Sequence, residues 1–233
     1  MDTTYPVSSF IEDVIREVPG WTPADQLLCL YTLVLASADI PGDILEIGSW
    51  CGRSTVVLAH AAQLCGQGMV QSIDLFPEKQ DWRQNKDGSW SFSTDGYRAY
   101  HDQTVYDAPW QRDIAPLYQR HDGILEIFLA SLEKFHVEKT VRWHKGNSAS
   151  LASGNYRLCF IDGDHGYDAV TADINYCLAH MQGEGYICFD DAFSSYKGVD
   201  KAIHDNHLTN DRLLFHQQLT RKFHVAKMAA PER

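Results

Sequence analysis

Acidic side chains and one histidine crowd two short stretches of this sequence. Asp162, Asp164 and His165 lie in D-G-D-H, and Asp190 and Asp191 stand side by side further along. Each stretch directly follows an apolar run, YRLCFI in one case and GYICF in the other. Carboxylates packed together repel and need a cation or protons to coexist. Asp162, Asp190 and Asp191 are hard oxygen ligands of the kind an octahedral Mg²⁺ takes, and Mn²⁺ or Ca²⁺ meets the same criterion. A histidine beside them has an ordinary pKa near 6.5 and can take a proton at neutral pH. D-G-D is also a good turn sequence, so either stretch alone could be a loop. Together, at the ends of successive strands, they point to a metal-assisted proton transfer.

The elements that position these residues are those of an α/β domain. Residues 44–55, ILEIGSWCGRST, read as a strand, a glycine loop and a helix start. Gly48 and Gly52 bracket the loop and allow a ligand close to the backbone. The helix start offers free N–H groups and a partial positive charge. Glu46 is an acid on a buried strand, where it needs a partner. The loop is G-x-x-x-G, which lacks the second glycine of the dinucleotide fingerprint and the lysine of a phosphate-binding loop. A second strand ends in Asp74, one βαβ unit on, where an acid typically accepts hydrogen bonds from ribose hydroxyls. Further strands follow at 141–144, 156–161 and 185–189, with helices between them. Two last strands, 212–219 and 222–228, join at Thr220 and Arg221. The pattern predicts a mostly parallel sheet with helices on both faces and an antiparallel closing hairpin. In such a sheet ligands sit outside the carboxyl ends of the strands, so the glycine loop and the acids share one edge.

Upstream, two helices are expected over residues 8–37. Ser9 and Glu12 form a capping box for the first, and Thr22 and Pro23 are N-cap and first residue of the second. The second is apolar nearly all round and is expected to be buried. Asp122 caps a helix running through DGILEIFLASLEKF. Residues 76–122 break the pattern: polar, aperiodic and rich in Trp and Tyr. A loop of that length is expected to be a lid or binding loop, the alternative being a packed excursion with its own small core.

At 233 residues the chain fits one domain, 1–233, with a full core. Its net charge of −11 argues against nucleic-acid or anionic-membrane surfaces. No apolar run is long enough for a membrane span, and the first residues do not read as a signal peptide. The six cysteines form no C-x-x-C pair, so reduced thiols in a cytoplasmic protein are expected. His144, His204, His207, His216 and His224 read as ordinary surface or strand residues.

The loop resembles the E-x-G-x-x-x-G motif of class I S-adenosylmethionine (SAM) methyltransferases. FIDGDHGYDAVTADI followed by GYICFDD resembles the metal-dependent small-molecule O-methyltransferases of antibiotic biosynthesis, the macrocin, mycinamicin and aminocoumarin sugar enzymes among them. The likeness covers residues 22–74 and 139–203 and is absent across 78–122, where substrate choice is expected to reside. It implies a Rossmann-like fold with seven strands, SAM as cofactor, and a divalent cation held by Asp162, Asp190 and Asp191. It implies that Asp164 or His165 is the base, and proton affinity at neutral pH favours His165. For SAM it implies Glu46, Gly48, Gly52, Ser54, Asp74 and Asp162, with Asn147 and Ser148 near the adenine. The acceptor would be a hydroxyl of a small secondary metabolite, with a sugar as one candidate. An N-methyltransferase needing no metal, a metal-dependent hydrolase and a non-catalytic SAM-binding protein are the competing readings. Oligomeric state, a homo-oligomer included, stays open.

Overall fold

The structure, a computed structural model, describes residues 6–94, 104–181 and 183–232. Helices α1 (Val7–Glu17) and α2 (Ala24–Ala36) lead into β1 (Asp43–Ile47), α3 (Arg53–Cys65) and β2 (Val70–Asp74). A short hairpin of β3 (Trp82–Gln84) and β4 (Trp90–Phe92) follows, then α4 (Asp107–Pro109), which runs on as a π-helical turn at Trp110–Ile114. The chain continues through α5 (Ile124–Lys134), β5 (Val141–Lys145), β6 (Tyr156–Ile161), α6 (Tyr167–His180) and β7 (Gly185–Phe189). It closes with α7 (Lys197–Asn206), β8 (Leu213–Gln218) and β9 (His224–Met228).

Seven strands form one sheet in the order β5-β2-β1-β6-β7-β9-β8. All neighbours from β5 to β7 pair in parallel, and β9 runs antiparallel to both β7 and β8. This is the Rossmann-like arrangement of class I methyltransferases. Alternation along the strands explains the two cores. In β6, Leu158 and Phe160 face the cluster formed with α1, α2, α3 and α5, while Cys159 and Ile161 face the one formed with α6 and α7. A strand apolar on both faces belongs in the middle of a parallel sheet, which is where β6 lies.

The helix starts differ from expectation. α1 begins at Val7 with Pro6 as N-cap, so Ser9 and Glu12 lie inside the helix and make no cap. α2 begins after Pro23, and α5 after Gly123; none of the three uses a side-chain cap. Burial of the apolar faces sets these ends. α2 is apolar nearly all round, as expected, but it is not buried all round, for Leu28 and Leu35 are 49% and 43% exposed.

Much of the excursion at 76–122 is packed, although Tyr106 is 78% exposed. Trp90 stacks on Trp110 at 4.3 Å, and Trp82 tilts against it at 4.6 Å. Trp82 Nε1 donates to Tyr118 Oη at 2.8 Å, and Tyr118 donates to the Pro77 carbonyl at 2.8 Å. Trp110, Ile114 and Tyr118 join the core on the α3 face. The aromatics therefore build a small core of their own that is fused to the large one. Tyr97 and Tyr100 lie outside the described residues.

Candidate active site

Strand register places the site. Ile73, Ile47, Ile161 and Phe189 pair side by side across β2, β1, β6 and β7. The next residue of each strand is Asp74, Gly48, Asp162 and Asp190. Ladder hydrogen bonds continue into this row, from Gly48 N to Ile73 O, Asp162 N to Ile47 O and Asp190 N to Ile161 O. Three acids and a glycine thus stand in line at the carboxyl edge of four adjacent strands.

Gly48 has φ of +93°, and a Cβ built on it would stand 2.0 Å from the Asp162 carbonyl oxygen. The space that demands glycine here is filled by the end of β6. Gly52 caps α3 at φ +92°, and its missing Cβ makes room for the Phe128 ring. Between them Trp50 also has positive φ, and its ring meets that of Trp21 at 5.5 Å. Arg53, at the start of α3, donates to the carbonyls of Val18, Ile15 and Thr22. The N-terminal helices are thereby tied down over the glycine loop.

Glu46 is fully buried beneath the loop. Its Oε2 accepts from Thr55 at 2.5 Å and from Ser72 at 2.9 Å, while Oε1 has no partner in the protein. Burial pushes its pKa up to about 7, against the pull of the nearby Ser54, Thr55 and Ser72 hydroxyls. Asp74 accepts backbone N–H bonds from Ser49 and Trp50 on Oδ2 and from Phe76 on Oδ1. Burial raises its pKa and these amides oppose the rise. Asp74 therefore shapes the loop and is itself only partly covered.

On β6 and β7, one carboxylate oxygen from each of Asp162, Asp190 and Asp191 lies within 4.8 Å of the others. Burial, and then the facing Asp190, push the Asp162 carboxyl well above the usual range. Lys222, in the turn between β8 and β9, reaches in. Its Nζ lies 3.0 Å from Asp190 Oδ2 and 3.1 Å from Asp191 Oδ1. His165 Nε2 is 3.0 Å from Asp191 Oδ2. Burial pulls Asp191 up, but His165 and Lys222 outweigh it and hold the carboxylate below its usual range. The His165 ring is stacked on Tyr196 at 3.8 Å. Asp164 Oδ1 accepts from Gly166 N at 2.6 Å, which closes the turn into α6. A cavity of about 10 Å³, room for one water, lies under Asp162, Asp164, His165 and Asp190. Asp191 and Phe193 both have positive φ.

Asn147 and Ser148 follow β5 at the same edge. Asn147 is exposed, whereas Ser148 is buried and donates to Asp173 Oδ1 at 2.5 Å. Asp173 is buried on α6, and burial lifts its pKa to about 7. Lys222, Tyr196 and Asp173 are absent from the sequence reading. None carries a local motif; each is brought in by a turn or helix distant in the chain. His207 and His224, read as ordinary, are buried with neither ring nitrogen partnered.

Residues 45–192 match the Methyltransf_24 family, described as a methyltransferase domain, and the chain belongs to it. Its fold is shared with the O-methyltransferase NovP at 14% identity, covering 95% of this chain and 99% of that one, with a TM-score of 0.65. TomG from Streptomyces achromogenes, an O-methyltransferase of tomaymycin synthesis solved with SAM, is 15% identical over 99% of this chain and 93% of its own, TM-score 0.57. CalS11, a TDP-rhamnose 3′-O-methyltransferase of calicheamicin biosynthesis, is 14% identical over 98% of this chain and 88% of its own, TM-score 0.53. Among the described residues no helix is long and apolar enough to cross a membrane.

Proposed function

We propose that this methyltransferase uses SAM to methylate a hydroxyl of a small molecule, with a divalent cation at Asp162, Asp190 and Asp191. The observation that carries the reading is the row of strand ends that sets the glycine loop directly beside the acid cluster and its histidine. Glu46 Oε1, buried and unpartnered, is an acceptor held in reserve for a donor such as the SAM amino group. Gly48, Gly52 and Ser54 shape the loop and helix start that would face the methionine part, and Asp74 and Asp162 flank it. Asn147 and Ser148, which follow β5 at the same edge, would face the adenine. The antibiotic-pathway enzymes that share the fold support a secondary-metabolite acceptor, and CalS11 supports a sugar.

The donor set suits Mg²⁺, being all carboxylate oxygen and within bonding span of one ion. When bound, a divalent cation supplies Lewis acidity that makes a hydroxyl proton easier to remove. The protein's own groups do the rest. Asp191 is held ionised and can only accept, so we assign the proton of the neutral His165 ring to Nε2, which lies 3.0 Å from Asp191 Oδ2. That fixes the tautomer and leaves Nδ1 with a free lone pair, the proton acceptor. SAM supplies a methyl group on a sulfonium centre. As the methyl moves to the acceptor oxygen, Nδ1 takes the oxygen's proton. The imidazolium so formed would be stabilised by Asp191 and by the face of Tyr196. Asp164 holds the turn that aims His165.

One observation favours a metal-free alternative, N-methylation by proximity alone: Lys222 already supplies positive charge to the acids. Chelation separates the two. Enzyme stripped with EDTA and assayed with SAM should lose turnover and recover it on adding Mg²⁺. Full turnover in EDTA would establish the alternative.

A further inference from the structure

The carboxylate oxygens of Asp190 and Asp191 are all assigned. Asp190 Oδ1 accepts from the Asp191 backbone N–H at 2.6 Å, and Asp191 Oδ2 faces His165. The two that remain, Asp190 Oδ2 and Asp191 Oδ1, both hold the Lys222 ammonium. These are the oxygens a cation shared with Asp162 would take. An ammonium about 3 Å from each and a divalent ion bonded to each cannot coexist, since the two cations would be in near contact. Lys222 is well placed to yield. Its backbone carbonyl is fixed by the Ala192 N–H at 2.9 Å, while the side chain is 27% exposed and carries the ammonium on a flexible four-carbon stem.

We propose that Lys222 is a tethered counter-ion that holds the acid cluster together without metal and is exchanged for the divalent cation when it binds. This rests on the metal reading above. Its consequence is a metal threshold built into the chain: the ion must displace an ammonium that cannot diffuse away. The exchange also leaves the His165 to Asp191 Oδ2 contact in place, because the two cations compete only for the other oxygens.

Lys222→Met removes the charge and keeps most of the stem; Lys222→Gln is a second, polar variant. Mn²⁺ alone is titrated calorimetrically into the EDTA-stripped, dialysed wild type and variants, and thermal midpoints are measured without and with Mn²⁺. Both variants should bind Mn²⁺ on the order of tenfold or more tightly than wild type, because removing one partner of a buried ion pair leaves the other uncompensated. Without metal both should melt below the wild type, and Mn²⁺ should raise their midpoints more than it raises that of the wild type. Variants that bind Mn²⁺ no more tightly than wild type overturn the exchange and leave the metal reading intact. Absence of Mn²⁺ binding in wild type and variants alike overturns both.

Discussion

Glu46 and His165 put different demands on a single side chain. Glu46 is buried with one oxygen satisfied and the other unpartnered, so its carboxyl is expensive to keep unless a ligand uses it. Its pKa is raised by burial to about 7 from 4.5. At this carboxyl the folded state therefore holds a proton more tightly than the unfolded one, and Glu46's own contribution to stability is lost as pH rises from about 4.5 through 7. Glu46→Gln should abolish that dependence and raise the thermal midpoint of the ligand-free protein at pH 8. It should also weaken S-adenosylhomocysteine binding roughly tenfold, the worth of one hydrogen bond to a charged group. Calorimetry finding unchanged affinity would make Glu46 purely structural. His165→Ala should lower the turnover rate by about 10²–10⁴-fold with SAM affinity nearly unchanged. Asp164→Asn keeps the oxygen that accepts from Gly166, so its turnover should stay close to wild type. The reverse pattern, with Asp164→Asn inactive and His165→Ala active, moves the base to Asp164.

At the scale of elements, the site depends on β1 and β6 ending in backbone contact. Gly48→Ala would drive a Cβ into the Asp162 carbonyl, which belongs to a paired strand and cannot retreat. The variant should lose roughly 3 kcal/mol or more and fold poorly, whatever ligand is present. Gly52→Ala meets nothing closer than the Phe128 ring at 3.1 Å and should cost nearer 1 kcal/mol, mainly for its left-handed backbone. Circular-dichroism melts of the two should differ accordingly; equal melts would mean that the loop backs away from β6. Strands β6 and β7 were legible to the residue, because each is a largely apolar run, broken in β6 only by Arg157, that is followed by acids. The hairpin β3–β4 was not, since three-residue strands are too short to show a period. The capping signals at Ser9, Thr22 and Asp122 pointed to starts that the packing of α1, α2 and α5 overrode.

For the whole molecule, the acids of the candidate site were visible because they sit beside strand ends, and the cation that balances them was not. Lys222 is brought to Asp190 and Asp191 by a turn between the last two strands. The same fold buries His207 and His224 against Phe189. Burial pushes both histidines down to about 4, so each is neutral in the folded protein. Unfolding restores an ordinary value near 6.5, so the unfolded chain binds more protons below it. The contribution of these two histidines to stability is therefore full above about pH 6.5 and is lost as pH falls toward 4, by on the order of a few kcal/mol for the pair. Urea unfolding across that range should show the decline, and His207→Phe should flatten part of it. An acid limb identical in the variant would assign it to other groups.

The position of β9 has a consequence for how the chain is made. β9 follows β8 in the chain but lies between β7 and β8 in the sheet. A ribosome delivers β8 first, with no edge to join, since its one partner in the sheet is β9. Until β9 arrives, β7 presents an open edge with Ile187, Cys188 and Phe189, residues fully buried at the end. The sheet cannot be zipped up in the order of synthesis. Its final step is the docking of the β8–β9 pair onto β7, and the nascent protein spends the interval before it with a sticky flank that invites pairing with another chain.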